Sequence, residues 1–129
     1  MLDHVGLAVT DIERARRFYD AALEPLGYVL VYEVGPNVTE TGGTWLGYGP
    51  DGEAILWLGD NLRPGHGSHV AFRVPNRELV HAFHSAALAA GGTDNGAPDL
   101  RPHYAENYYA AFVLDPDGIN LEAVCHAPE

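Results

Sequence analysis

The sequence contains a single cysteine, Cys125, among its 129 residues, so no disulfide can form within the chain. One thiol also cannot build a cysteine-rich zinc cluster. No apolar run approaches the ~20 residues that a membrane-spanning helix needs, and the chain does not open with a basic segment followed by an apolar one. We therefore expect a cytoplasmic protein without a membrane partner.

Basic residues are also scarce. Seven arginine or lysine residues stand against 18 acidic ones, which gives a formal net charge of -11. A charge of this sign repels nucleic acids and anionic membrane surfaces. We therefore expect the partners to be a small-molecule substrate, a second copy of the chain, or both.

An internal repeat organises the whole chain. The segment DHVGLAV at 3–9 nearly recurs as SHVAFRV at 68–74, an offset of 65, and nine of the 24 aligned positions between 4–27 and 69–92 are identical. The triplet PDG at 50–52 recurs at 116–118, an offset of 66. Repeats of this kind indicate duplicated structural units. We assign one domain, 1–129, built from module one (1–62) and module two (67–126), with His66 in the segment that links them.

Each module has the pattern of one strand, one helix and three further strands. Thr10 with Glu13 has the spacing of a helix-capping box, and Asn76 can cap the second helix. Glycines follow both helices, at Gly27 and at 91–92. The prediction is an α+β fold of two tandem βαβββ modules. They form a curved mixed sheet with the helices outside and a concave site within.

Strand alternation points three ligand-type side chains into that concavity. In the first strand of each module the apolar residues share one face, which leaves His4 and His69 on the other face. In the last strand of module two, Glu122 lies opposite an apolar face that includes Cys125. Two imidazoles and one carboxylate suit a divalent metal ion such as Fe, Mn, Ni, Co or Zn, with coordination positions left open for water and substrate.

Paired βαβββ units with DHVGLAV, GSHVAF and DPDGINLEAV resemble the vicinal oxygen chelate superfamily. That superfamily includes glyoxalase I, fosfomycin-resistance proteins, bleomycin-binding proteins and extradiol dioxygenases. The resemblance covers essentially the whole chain. It implies metal ligands in the first and last strands of each module, and three of those positions match: His4, His69 and Glu122. Glu122 is accordingly expected to be catalytic as well as a ligand.

The fourth ligand position of the resemblance is altered. Counting back from Glu122 by 65 reaches Trp57, and counting back by 66 reaches Leu56; neither side chain can bind a metal ion. In the glyoxalase I pattern a glutamate at this position serves as a metal ligand and proton shuttle. Its replacement by an apolar residue here argues against glyoxalase I activity.

Several further residues are candidates for the lining of the site. An aromatic lining suits a compact, partly apolar ligand, and an arginine beside it could hold a carboxylate or an oxyanion. The loop RPHYAENYY could close over the substrate and supply an acid or a base. The predicted catalytic residues besides Glu122 are His103 and Tyr109. The predicted substrate-binding residues are Trp57, Trp45, Arg73, Tyr104, Asn107 and Tyr108.

Two functions remain open at this point. The first is a metal-dependent, glyoxalase-like or dioxygenase-like enzyme that acts on a small oxygen-bearing molecule by lyase, isomerase or dioxygenase chemistry. The second is a non-catalytic small-molecule binder of the bleomycin-resistance type, which uses the aromatic lining without a metal. The resemblance also implies a homodimer. In several relatives the two chains share a site, so His4 could join His69 within one chain or across two.

Overall fold

The computed structural model describes residues 3–39, 41–64 and 68–129, so the predicted linker residue His66 lies outside the described residues. Two helices and eight strands follow one another in the predicted order. They are β1 (Val5–Ala8), α1 (Ile12–Leu23), β2 (Val29–Val34), β3 (Trp45–Gly49), β4 (Leu56–Gly59), β5 (His69–Arg73), α2 (Arg77–Ala89), β6 (Thr93–Leu100), β7 (Tyr109–Leu114) and β8 (Asn120–Cys125).

Each module forms its own four-stranded mixed sheet, with the order β1-β4-β3-β2 in the first module and β5-β8-β7-β6 in the second. The first and last strands of each module pair in parallel, and the remaining pairs are antiparallel. The tandem βαβββ prediction is therefore confirmed. β1 and β5 both lie at a sheet edge, and the sheet pairing does not join them.

The residue that caps the helix agrees with the prediction for α2 but not for α1. Asn76 caps α2, as expected, and its side chain accepts a hydrogen bond from the Leu79 amide at 3.0 Å. The prediction that Thr10 caps α1 is wrong, because Asp11 is the cap and accepts from the Arg14 amide at 3.0 Å. A carboxylate one residue closer to the helix has taken the position that the hydroxyl could have filled.

The Thr10 hydroxyl has a different partner, in the second module. It donates to Asp117 Oδ1 at 2.5 Å, and the Thr10 amide donates to the other oxygen of that carboxylate at 3.2 Å. The PDG turn before β8 therefore contacts the start of α1. Arg14 also reaches Asp117, at 3.3 Å.

One hydrophobic core joins the modules. α1 packs against α2, and Phe18 and Phe83, one from each helix, are almost completely buried in the same cluster. Burial of a side chain of this size contributes about 1.5–3 kcal/mol. Tyr19 of α1 extends the contact by donating a hydrogen bond to buried Asp115, in the turn before β8, at 2.9 Å.

No helix within the described residues is long and apolar enough to cross a membrane.

Candidate functional site

The face of each sheet that lies opposite its helix carries the predicted ligand residues. In β1 and just beyond it, Leu7 and Val9 are buried towards the helix, while His4 and Gly6 lie on the other side and line a cavity. We call this surface, with Trp45 and Trp57, the first-module face.

The corresponding surface of the second sheet carries His69, Tyr108, Phe112 and Glu122, and we call it the second-module face. In β8 the neighbours of Glu122, Leu121 and Ala123, are buried in the core on the opposite side. Cys125 is also buried, as expected.

The strand register identifies the residue that replaces the fourth ligand. Gly6 pairs with Trp57 in the first module as Ala71 pairs with Glu122 in the second. Trp57 is therefore the counterpart of Glu122, whereas Leu56 is 1% exposed and belongs to the core. The extra residue of the first module lies between the PDG turn and β4.

The two modules also differ in which strand carries the aromatic side chain at this register position. In the first module small Gly47 on β3 is the register partner of large Trp57 on β4. In the second module large Phe112 on β7 is the register partner of Glu122 on β8. The repeat therefore conserves the backbone pairing, but the aromatic residue of the pair lies on the last strand in the first module and on the third strand in the second module.

Glu122 is the central residue of the second-module face. Its carboxylate is buried, with 2% of the residue exposed. Oε1 lies 2.9 Å from His69 Nε2, and Oε2 accepts a short hydrogen bond from the Tyr108 hydroxyl. Burial raises the pKa of Tyr108 to about 12, and the hydrogen bond to Glu122 acts in the same direction. The phenol therefore stays protonated at neutral pH and remains a donor to the carboxylate.

The surroundings of His69 fix which of its nitrogens can bind a cation. Nδ1 lies 3.0 Å from the Asn120 carbonyl oxygen, which can only accept a hydrogen bond, so Nδ1 carries a hydrogen. In the neutral ring Nε2 then presents a lone pair to the Glu122 carboxylate. Nε2 and the carboxylate oxygen Oε1 are 2.9 Å apart, so their lone pairs repel each other unless a proton or a metal ion lies between them. Donation from the second imidazole nitrogen to a carbonyl is also the usual support of a metal-binding histidine.

These two side chains fit part of a divalent metal site. Two ligand atoms bound at right angles to one ion lie about 3.0 Å apart when each bond is about 2.1 Å, which is close to the 2.9 Å between His69 Nε2 and Glu122 Oε1. Within the described residues, however, no group of three or more His, Cys, Asp or Glu side chains could hold a metal ion. His4 instead contacts Asp3 at 2.7 Å, and its side chain is 58% exposed.

The first-module face is an aromatic pocket. Its cavity has a volume of about 330 Å³, and among the described residues that line it only His4 is ionisable. Trp45 and Trp57 are both partly buried there, and the Tyr32 ring lies nearly parallel to the Trp57 ring, at 6.1 Å between centroids and 12° between planes. The cavity is lined by His4, Gly6, Val34, Thr39, Trp45 and Trp57.

A second cavity, of about 250 Å³, lies beside the second-module face and is more polar. Two of the predicted loop residues, His103 and Tyr104, line it together with Arg101 and Phe112. Tyr104 also contacts Tyr108, at 5.2 Å between ring centroids. Through Tyr108, which donates a hydrogen bond to Glu122, the loop lies near that carboxylate.

Sequence reasoning missed Arg101. Its Nη2 donates to the carbonyl oxygens of Ala97 and Ala110, at 2.6 and 3.3 Å, and its guanidinium lies over the Phe112 ring. Arg101 is the one arginine among the described residues that line this cavity. Its place at the start of the RPHY loop, next to His103, was the available signal.

Three predicted site residues form no hydrogen bond or ion pair with His69 or Glu122 among the described residues. Tyr109 points towards α2, where its hydroxyl lies 2.7 Å from His81 Nε2 and its ring lies under Arg77. Arg73 is exposed at the end of β5, and no described residue forms a hydrogen bond or ion pair with its side chain. Asn107 occupies a turn with a φ of 63°.

Known proteins match this chain over nearly its whole length. The family model of the Glyoxalase/Bleomycin resistance protein/Dioxygenase superfamily matches residues 1–123, and no curated protein matches. A glyoxalase/bleomycin resistance protein from Albidiferax ferrireducens T118 is 30% identical, with 99% of each chain covered and a TM-score of 0.73. A glyoxalase I mutant from Zea mays is 26% identical over 95% of this chain and 46% of its own, with a TM-score of 0.72. A glyoxylase/bleomycin resistance protein/dioxygenase domain from Frankia sp. EAN1pec shares the fold, with a TM-score of 0.75 at 18% identity and with 97% and 96% of the two chains covered.

Proposed function

Because the chain belongs to the Glyoxalase/Bleomycin resistance protein/Dioxygenase superfamily, we propose that it is a metal-dependent enzyme that acts on a small oxygen-bearing molecule. The observation that carries this proposal is the pair formed by His69 and Glu122. A buried carboxylate stands 2.9 Å from the nitrogen of an imidazole whose other nitrogen is held by a carbonyl. That arrangement supports cation binding between them.

The third ligand in this proposal is His4 of a second copy of the chain. Within one chain, His4 lies on the first-module face and the other two ligands lie on the second-module face. A homodimer in which the first-module face of one chain covers the second-module face of the other would bring all three together. The aromatic pocket and the polar cavity would then face each other across one substrate site.

A divalent ion bound there would supply Lewis-acid stabilisation of a developing oxyanion or enolate. The residues of the chain would have separate tasks. Asn120 orients His69, and Tyr108 holds one oxygen of Glu122. Arg101 and His103 line the space beside them, where Arg101 can bind an anionic group and His103 can exchange a proton with the substrate. We do not propose glyoxalase I activity, because Trp57 occupies the place of the fourth ligand.

Metal titration of the purified protein tests the proposal. We expect about one divalent ion per chain after incubation with Mn, Fe, Ni or Zn salts, measured by elemental analysis after desalting. His69→Ala should abolish binding. His84→Ala is a matched control, because His84 also pairs with a carboxylate, Asp94, at 3.0 Å but lies on α2, away from the proposed site. A wild-type protein that stays free of all four metals would overturn the enzyme proposal.

The second candidate function is a binder without metal. Trp57 favours it, because a large indole stands where a fourth ligand would be and lines an aromatic pocket. The two functions separate in one comparison. A binder would retain its affinity for small aromatic ligands in His69→Ala and would take up no metal, whereas the enzyme would lose its metal and its activity together.

A further inference from the structure

The Trp45 ring lies flat on the backbone of the next strand. A Cβ atom at Gly59 would lie 2.5–2.6 Å from Cε2, Cδ2 and Cζ2 of Trp45. Cε2 is a ring-fusion atom with three bonded neighbours, so another atom can approach it this closely only from above the ring. Trp45 therefore covers Gly59 with its face, and it extends to within 3.5–3.6 Å of the Cβ position of Gly6.

Trp57 also lies against a glycine, in the opposite direction, and it shares that position with the Cβ of Ala54. A Cβ atom at Gly47 would lie 2.9 Å from Cη2 and Cζ3 of Trp57. Trp45 extends from β3 over β4, and Trp57 extends from β4 over β3. Since glycine has no side chain, each indole lies closer to the sheet than any other neighbour would allow.

The pocket above these rings is small, and its lining is mostly apolar. Apart from His4 and Thr39, the lining residues that the structure describes are apolar or aromatic, and the volume of about 330 Å³ suits a compact molecule. The helix packs on the other side of the sheet, where Leu46, Tyr48 and Leu58 are 0–1% exposed. The two tryptophans are thus not needed to fill the core.

We propose that the first-module face binds a flat, conjugated ring of the substrate, stacked on Trp45 and Trp57, with an oxygen substituent directed towards His4. This inference rests on the proposed function and names its substrate class: a small aromatic or conjugated compound rather than an aliphatic one. Stacking of aromatic rings adds about 0.5–1.5 kcal/mol beyond burial of the same area. A planar ring should therefore bind about 2–12-fold more tightly than a saturated ring of the same skeleton.

The test uses metal-free full-length protein and two neutral probes, 2-naphthol and its saturated analogue 2-decalol. Titration calorimetry measures both affinities, and proton NMR measures the ring-current shift of each probe. We expect tighter binding of 2-naphthol and an upfield shift of its ring protons, because they would lie over an indole face. Trp57→Leu should remove most of the preference, and Trp57→Phe should retain part of it.

Tyr28→Leu is a matched control, because it removes an aromatic ring that packs on Phe72 and lies outside this pocket. Equal affinities for the two probes, no binding of either, or binding without a ring-current shift would each overturn the inference. If Trp57→Leu does not fold, the wild-type comparison of the probes and Trp57→Phe still decide it. Because no metal is present, this inference can fail while the metal titration succeeds, and the reverse also holds.

Discussion

Two buried phenols tie the side chains of α1 to their surroundings. Tyr19 is fully buried and donates to Asp115, and Tyr48 is fully buried and donates to Asp20 at 2.8 Å. Burial raises the pKa of Tyr19 well above its ordinary value of 10.0, and it raises that of Tyr48 as well. The nearby carboxylates act in the same direction. Both rings must therefore remain uncharged in the folded protein.

Alkaline pH should destabilise the fold through these two residues. In the unfolded chain their phenols ionise near pH 10, whereas in the folded chain they stay protonated. The stabilisation is thus complete below pH 10 and is lost as pH rises above it. Each tyrosine contributes a slope of up to about 1.4 kcal/mol per pH unit. The sequence contains no lysine, so no lysine side chain titrates in this window.

Urea unfolding followed by circular dichroism at pH 8 to 11 measures this effect. The free energy of unfolding should fall above pH 10 in the wild type and fall less steeply in Tyr48→Phe. A wild-type stability that stays constant from pH 9 to 11 would contradict the assignment.

At the scale of elements, helix α1 depends on both modules. Asp11 belongs to the first module and caps the helix, while Thr10, the residue before it, is bound to Asp117 of the second module. Neighbouring residues therefore have separate tasks. One begins the helix, and the other attaches it to the turn before β8.

Substitution of the two residues should separate those tasks. Asp11→Ala removes the acceptor of the Arg14 amide and should cost about 1 kcal/mol of stability. Hydrogen exchange at the Arg14 amide should accelerate. Thr10→Val should leave that amide protected, because the cap stays in place. Asn76→Ala is the matched control on α2 and should lower stability by a similar amount. Rapid exchange at Arg14 in Thr10→Val would instead show that Thr10 supports the cap.

At the scale of the whole molecule, the proposed ligands lie on two surfaces, and within the part of the chain that the structure describes they do not form a group that could hold a metal ion. His69 and Glu122 share the second-module face, while His4 lines the pocket of the first. Core packing between α1 and α2 joins the modules through their helical sides. The proposed site would therefore form between chains, and metal affinity would depend on dimerisation.

Mixing two inactive variants tests this arrangement. His4→Ala and Glu122→Gln should each bind metal poorly when alone. After unfolding and refolding together in equal amounts, half of the dimers would contain both variants, and each such dimer would have one intact site. Metal binding should then return to about one quarter of the wild-type value. If the mixture recovers no metal binding relative to refolded wild type, the ligands lie within one chain.

The sequence predicted those features that depend on strand alternation and on the repeat. His69 and Glu122 lie side by side because residues of period two share a sheet face, and the modules match because the repeat preserves the strand order. The cap of α1 was misassigned, since Thr10 and Asp11 are both good caps and only the position of Asp117 separates them. Arg101 and the separation of His4 from His69 depend on packing between distant segments, which the local pattern does not encode.

The reversed order of large and small residues in the two modules has an evolutionary consequence. In the first module Trp57 shields the backbone at Gly47, whereas in the second Phe112 stands beside Glu122. A mutation of Trp57 to glutamate would remove the indole from Gly47, where the Cβ of Ala54 would remain. A mutation of Gly47 to a large residue would collide with Trp57. The order of the two mutations therefore matters, because the side chain at position 57 must become smaller before the one at position 47 can become larger.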